Sequence, residues 1–362
     1  MKANIFISIM LATTICTSSC ETDKSGPNWN NPSSNAGGDW LIPKNQVRDG
    51  GPGKDGIPAL TAPPRVGVDD PANHYLEDED LVLGYYYDGE IVAYPHDILD
   101  WHEIVNDRVG GLAIAVTYCP LTGTGIGWGR VIDDEETTFG VSGLLYNSNL
   151  IPYDRKSGSN WSQIRLECVN GPLIGVDPLV LPLIEMPWKT WKKLFPSSMV
   201  ISTSTGHDRD YGSYPYGSYK TSNSLIFPAI PADDRLHPKE RVLAVVRAGS
   251  SRVYRFESFG EGLTVLQHEF KGINLVVAGI RNQWMVAFNA KTWDGQVLEF
   301  SAGEDEGRLV DQDGNEWDLF GTARKGPRKG EQLKPVRSFM AYWFSIGAFY
   351  PGVEIYDGEA EK

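Results

Sequence analysis

Cysteine, histidine and positive charge are all in short supply. The 362 residues hold four Cys and six His, with no C-x-x-C pair and no clustered Cys/His spacing, which excludes a zinc finger or a dithiol motif. Thirty-three Lys and Arg stand against 47 Asp and Glu, a formal net charge of −14. A protein that tracks phosphates needs the opposite sign, so nucleic acid is removed as a partner. Beyond the first twenty residues no apolar run approaches the ~20 residues that a membrane-spanning helix requires. What is abundant is aromatic: eleven Trp and sixteen Tyr, too much core-forming material for a disordered chain. A chain of this length has room for two cores or one duplicated core.

The start reads as an address. Met1-Lys2 gives a minimal positive region, Ile5 to Ile15 an apolar run, and Thr17-Ser18-Ser19-Cys20 small residues before a cysteine. That is the shape of a secretory signal over residues 1–19, and the terminal Cys makes it resemble a bacterial lipoprotein signal in which Cys20 takes up the lipid, palmitate included. The expected location is the cell envelope, anchored to the membrane through Cys20, or secreted where Cys20 stays unmodified. Residues 20–38, rich in Ser, Asn, Pro and Gly, then serve as a tether. Cys119 and Cys168 remain, open to pairing in an oxidising compartment or to standing as free thiols.

The rest of the chain shows an internal repeat. Val82 to Tyr94 matches Val242 to Tyr254, each a hairpin, around Asp88-Gly89 and Gly249-Ser250 respectively. Gly110 to Val116 matches Lys271 to Val277; Ser157 to Trp161 matches Asp313 to Trp317; Gly171-Pro172 matches Gly326-Pro327; and Trp188 to Pro196 matches Trp343 to Pro351. Five landmarks in one order, at offsets of 155 to 161, predict two tandem, mainly β (β-rich α+β) halves, each with a short helix before its last strand. The halves span 39–206 and 241–356, joined by a Tyr/Gly/Ser-rich loop over 207–240 and followed by a tail, 357–362. The first half has an addition: His96 to Asp107 places Ile98, Trp101, His102 and Val105 at i, i+3, i+4 and i+7, which predicts an amphipathic helix.

AYPHDILDWHEIVND, VTYCPLTGT, FGVSGLLYNSNLIPYDRKSGSNWSQ and TGHDRDYGSYPYGSY, with GGPGKDGIPAL upstream, resemble the bacterial domain-of-unknown-function 3179 family. The resemblance covers roughly residues 40 to 356. It implies a secreted or lipid-anchored protein and brings no established activity. The family's cysteine motif often reads C-P-L-C; here Thr122 replaces the second thiol, which weakens a dithiol redox role.

Chemistry concentrates in the first half. Cys119 ends a strand and opens a Gly-containing turn, a setting that presents a thiol beside backbone N–H donors. Paired with His102, and with Glu103, Asn106 or Asp107 to orient the imidazole, it makes a candidate catalytic couple. The same thiolate and imidazole, with His96, suit copper or zinc. The plain alternative is a buried or disulfide-bonded Cys119 and a core His102. Asp154 and Arg155 have no evident equivalents in the second half and are candidate binding residues. Arg209, Tyr211 and Tyr216 are candidates to line a groove for a glycan or a peptide, since Tyr offers a stacking face and a polar tip. Two readings follow: a ligand- or metal-binding protein with its site in the first half, or a Cys119/His102 enzyme.

Overall fold

Two-residue hairpin turns need left-handed backbone, and the chain supplies it at corresponding places. Leu81–Tyr87 and Glu90–Pro95 turn through Asp88-Gly89 (φ 46° and 83°); Arg241–Arg247 and Ser250–Arg255 turn through Ala248-Gly249 (φ 48° and 75°), one residue earlier than the sequence pattern suggests. Gly110-Gly111 and Lys271-Gly272 are likewise turns, so the strands that follow begin at Leu112 and Ile273. The computed structural model describes residues 40–358. It is β-rich, with seven sheets and three α-helices among the described residues: α1 (His96–His102), α2 (Trp188–Leu194) and α3 (Trp343–Phe349).

The sheets come in like-ordered pairs. In the first half, Ile184–Pro187, Leu81–Tyr87, Glu90–Pro95 and Met199–Ile201 lie side by side, edged by Arg65–Gly67; in the second, Ser338–Tyr342, Arg241–Arg247, Ser250–Arg255 and Glu354–Ile355 do so in the same order. The hairpin registers agree as well, Leu83 facing Tyr94 and Leu243 facing Tyr254. Ile104–Val109, Leu112–Cys119, Thr124–Gly129 and Val180–Leu181 correspond in order to Thr264–Phe270, Ile273–Ile280, Trp284–Asn289 and Lys334–Pro335. The third pair of sheets each carries a bulge just before the buried Trp, at Asn160/Trp161 and at Glu316/Trp317.

The halves share two cores. One cluster joins Met186, Trp188 and Trp191 to Val276, Trp284, Trp317 and Phe320; another joins Ile104, Trp128 and Trp161 to Phe339, Trp343 and Phe349. Each half also has a cluster of its own, around Leu83, Tyr94 and Val116 in the first and Leu243, Tyr254 and Val277 in the second. The fit is tight: a Cβ on Gly84 would lie 2.0 Å from the Trp191 ring, so even alanine there forces the helix off the sheet.

α2 begins after Pro187 and ends before Pro196, as the two prolines dictate. The expected helix over His96–Asp107 is shorter than its periodicity suggests: α1 stops at His102, and Ile104–Val109 is a strand. The β-branched Ile104, Val105 and Val109 pair with Leu112–Cys119, and that pairing overrides the helical spacing of Val105.

Candidate functional site

The switch from helix to strand is made by one residue. Glu103 has φ 57°, a left-handed conformation that a side chain adopts at a cost of ~1–2 kcal/mol. Its N–H donates to the Leu99 carbonyl at 2.7 Å, and its own carbonyl accepts from the Tyr118 N–H at 2.6 Å. The backbone is thus fixed on both sides. The Glu103 side chain, 93% removed from solvent, faces a cavity of about 440 Å³.

Three elements wall this cavity. The third sheet of the first half contributes Val141, Leu145 and Leu150; the segment before it contributes Ile57 and Pro58; the last turn of α1 contributes Asp100, Trp101 and Glu103. The cover is the chain between Ile201 and Arg241, irregular except for the 3-10 turn Tyr219–Thr221. Each tie it makes to α1 and the neighbouring turn is specific. Trp101 Nε1 donates to the Ser213 carbonyl (3.1 Å), Lys220 Nζ to Asp100 Oδ2 (2.8 Å), and the Tyr219 hydroxyl to the Leu121 carbonyl (2.9 Å).

His102 is the best-defined of these ties. Its Nδ1 lies 2.7 Å from the Pro58 carbonyl, which can only accept, so Nδ1 carries the proton. Burial pushes the imidazole down to about 4, so the ring is neutral and Nε2 accepts from the Tyr211 hydroxyl at 2.7 Å. Thr205 Oγ1, 2.5 Å from the same hydroxyl, then donates to it. His102 is a rivet for the strap, with both ring nitrogens engaged.

Electrostatics single out the carboxyls. Burial raises Glu103 to about 8, against a small opposing effect of the Tyr216 hydroxyl, which reaches Oε1 only at 3.5 Å. Burial also raises Asp100 to about 6, with Lys220 pulling the other way. Asp100 Oδ1 is buried without a hydrogen-bond partner among the described residues. At neutral pH the cavity therefore ends in an uncharged Glu103 beside an Asp100 that is half satisfied.

The candidate residues divide cleanly. Glu103, Arg209 and Tyr216 come together at the cavity, with the Arg209 guanidinium 5.7 Å from the Trp101 ring centre. Tyr211 does not line the cavity; it holds His102. Cys119 and His102 do not form a couple: the Cys119 thiol points to the Ser148 carbonyl at 3.5 Å, and both imidazole nitrogens are taken. Burial, aided by Glu103, pushes the Cys119 thiol up to about 11, opposite to what a nucleophile needs. Cys168 is also free and buried, so the two are not bridged. Among the described residues no group of three or more His, Cys, Asp or Glu is placed to hold a metal ion, which leaves the copper or zinc reading without a ligand set. His96 instead sits 3.3 Å from Glu185 and against the Tyr118 ring.

Asp154 does have an equivalent. It accepts from Trp161 Nε1 (3.1 Å) and from the Ser157 N–H (2.6 Å); Asp311 accepts from Trp317 Nε1 (2.9 Å) and the Asp313 N–H (3.0 Å). Both are turn-closing residues of the core, hidden from a residue-by-residue match because the two turns differ in length by one. Arg155, without such a counterpart, bonds Asp55 (2.9 Å) and the Phe139 carbonyl away from the cavity. Asn106 and Asp107 do not orient His102: Asn106 clamps Phe139 and Leu60, and Asp107 takes Tyr94 and Arg65. Asp100 escaped sequence reasoning, and Glu103 entered it only as a support for His102. The signal was present in the spacing of Asp97, Asp100 and Glu103, an acid every third residue from the start of α1 to the residue that ends it. Cys20 lies outside the described residues.

A family model described as a protein of unknown function (DUF3179) matches residues 54–353. No curated protein and no solved structure matches the chain.

Proposed function

We propose that this chain, which belongs to the DUF3179 family of proteins of unknown function, is a ligand-binding protein of the bacterial cell envelope whose site is the cavity at the end of α1. The observation that carries the reading is Glu103: an acid fixed on strained backbone, buried, and lining a largely apolar cavity. Strain and unfavourable burial at one residue mark function more often than stability. A cavity of about 440 Å³ falls within the ~300–1,000 Å³ of small-molecule sites, and its few polar groups converge at one end, as in such sites. Binding is favoured over thiol catalysis because Cys119 is held protonated and away from His102.

The test is a ligand-observed NMR screen of small amphiphiles against the mature chain and against Ile57→Trp. Ile57 is half-buried on the cavity wall, so an indole there fills the space without entering a sheet. Hits lost in Ile57→Trp support the reading; hits retained in it, or none at all, sink it.

The envelope part of the proposal rests on residues 1–20, with Cys20 as the lipid anchor. Cys20→Ser should move the protein from the membrane to the soluble fraction, and unchanged retention counts against it. The like-ordered sheets support a further part, that the two halves descend from one duplicated unit; sequence profiles built separately for the halves across the family should then find each other, and failure to do so argues for convergence.

A further inference from the structure

The chemistry of the acids on the cavity wall narrows what it takes. Asp100 on the last turn of α1 and Glu103 just past its end stand three residues apart, and both line the cavity. Asp100 is buried, its Oδ2 bonded to Lys220 and its Oδ1 unpartnered. The single side-chain hydrogen bond of Glu103 among the described residues is the 3.5 Å approach of the Tyr216 hydroxyl. These carboxyls are under-matched: Asp100 Oδ1 is one of several buried side-chain atoms without a partner among the described residues, and Glu103 has only the long Tyr216 contact. An orphaned acceptor in a fully buried carboxylate is a vacancy for a donor.

The remaining walls restrict the choice. Ile57, Leu121, Val141, Leu145 and Leu150 offer nothing to a ring of sugar hydroxyls, which would lose water without replacement. A carboxylate ligand would meet Asp100 at the acidic end, and the one guanidinium on the lining, Arg209, already lies over the Trp101 ring. The chemistry that fits the acidic end is a single donor-rich head on an apolar body. Trp101 and Tyr216 flank the head position and add aromatic faces of the kind that attract cations.

We propose that the ligand is an organic ammonium, a primary amine on an apolar chain, with its head at the Glu103 carboxyl beside Asp100 and its chain along the Ile57–Leu150 wall. The inference rests on the cavity reading above. Charge bookkeeping makes it quantitative. Asp100 is already balanced by Lys220, with Arg241, Asp80 and Asp97 further out; Glu103 faces Asp100, Cys119 and Tyr216; His102 is neutral; Arg209 lines the cavity over the Trp101 ring. Below pH 8 Glu103 holds a proton, so a bound ammonium stays compensated only when Glu103 gives that proton to solvent. Binding at neutral pH thus releases one proton, and affinity rises with pH until Glu103 is ionised without help.

The experiment titrates hexylammonium, hexanol and hexanoate into the mature chain by calorimetry at pH 6, 7 and 8.5, in two buffers of different ionisation heat. Glu103→Gln and Ile57→Trp are run beside it. The expected result at pH 8.5 is hexylammonium about tenfold or more tighter than hexanol, the margin of a charge-assisted hydrogen bond over a neutral one. About one proton is released at pH 7, and amine affinity falls nearly tenfold per pH unit below pH 8, so the advantage over hexanol is gone at pH 6. Glu103→Gln keeps hexanol binding, which shows it folded, and loses both the amine's advantage and its pH dependence. Hexanol or hexanoate binding as tightly as the amine, or no proton release, overturns the ammonium assignment and leaves the cavity reading standing. Silence from all three ligands, or binding unaffected by Ile57→Trp, overturns both.

Discussion

Replacing Glu103 by Gln should make the protein more stable above neutrality, by an amount that grows with pH. The side chain is 7% exposed, and burial lifts it from the usual 4.5 to about 8. A folded-state value above the unfolded one means that the unfolded chain sheds its proton first. The favourable contribution is complete below pH 4.5 and is lost as pH climbs to 8, after which it is level. Each pH unit in that window is worth about 1.4 kcal/mol per proton, so the ceiling is about 5 kcal/mol, and about 2–4 is the expected size once water and neighbours relax around the charge. Asp97 (raised to about 7) and Asp100 (raised to about 6) push the same way. His96 and His102, both lowered to about 4, push the other way: their contribution is present above the imidazole's ordinary 6.5 and is lost as pH falls through 4. The wild-type profile mixes all five. Subtracting it from that of Glu103→Gln isolates one proton, since Gln keeps the shape and the left-handed backbone. Urea unfolding followed by Trp fluorescence at pH 5, 6, 7, 8 and 9 gives both curves. The difference should climb by about 1.4 kcal/mol per unit to pH 8 and then flatten. A difference that is flat from pH 5 to 8 would mean Glu103 is ionised throughout, and the argument from burial fails.

The other predictions concern groups the structure assigns to architecture. Cys119 and Cys168 should titrate as two free thiols in denaturant; in the native state Cys119, held at about 11, should alkylate at neutral pH at least about 100-fold more slowly than a model thiol, and rapid labelling would restore the nucleophile reading. Asp154→Ala and Asp311→Ala should each destabilise by about 2–4 kcal/mol, because each strands a buried Trp N–H and turn N–H groups, while leaving hexylammonium affinity in the surviving fold unchanged; a binding defect confined to Asp154→Ala would return that residue to the site. Tyr211→Phe should orphan His102 Nε2, destabilise by about 1–2 kcal/mol and speed proteolysis within 203–218; unchanged proteolysis would show that the rivet does not hold the strap.

What was readable in the sequence, and what was not, follows from how far apart the interacting residues lie. The first hairpin and α2 between its prolines are local patterns and stand where periodicity and turn chemistry put them; the second hairpin turns one residue early, at Ala248-Gly249. The end of α1 is not local: Ile98, Trp101, His102 and Val105 keep helical spacing, yet Val105 is claimed by Val116 across a sheet. The partners of His102, Pro58 and Tyr211, are 44 and 109 positions away, so nothing in the sequence near His102 indicates a strap anchor in place of a base. Thiol chemistry looked plausible at Cys119 because a strand end before a glycine turn is where nucleophiles sit; whether the thiol faces solvent or a carbonyl is decided by the hairpin Phe139–Tyr146/Asn149–Asp154, whose Ser148 arrives from outside the motif.

The site and the scaffold obey different rules, and Glu103 is where they collide. Everything that recurs in both halves closes a core: the hairpins, the Asp–Trp turns, the helix before the last strand. What does not recur is laid on top. Where the first half has α1 and Glu103, the second has the 3-10 turn Phe256–Ser258 and a buried Phe259, an apolar residue that fits a core without penalty. The strap from Ile201 to Arg241 ties α1 on one side and α3 on the other, where Trp343 Nε1 donates to the Asp233 carbonyl. A buried acid on left-handed backbone weakens the fold at neutral pH, so its presence calls for a use. The two measurements on Glu103→Gln therefore bear on each other. A variant that is more stable at pH 8 and has lost the pH-dependent grip on hexylammonium shows stability given up for binding. A variant that is more stable and still binds with the same pH dependence would leave the strain without a function and move the proton-linked group to Asp100.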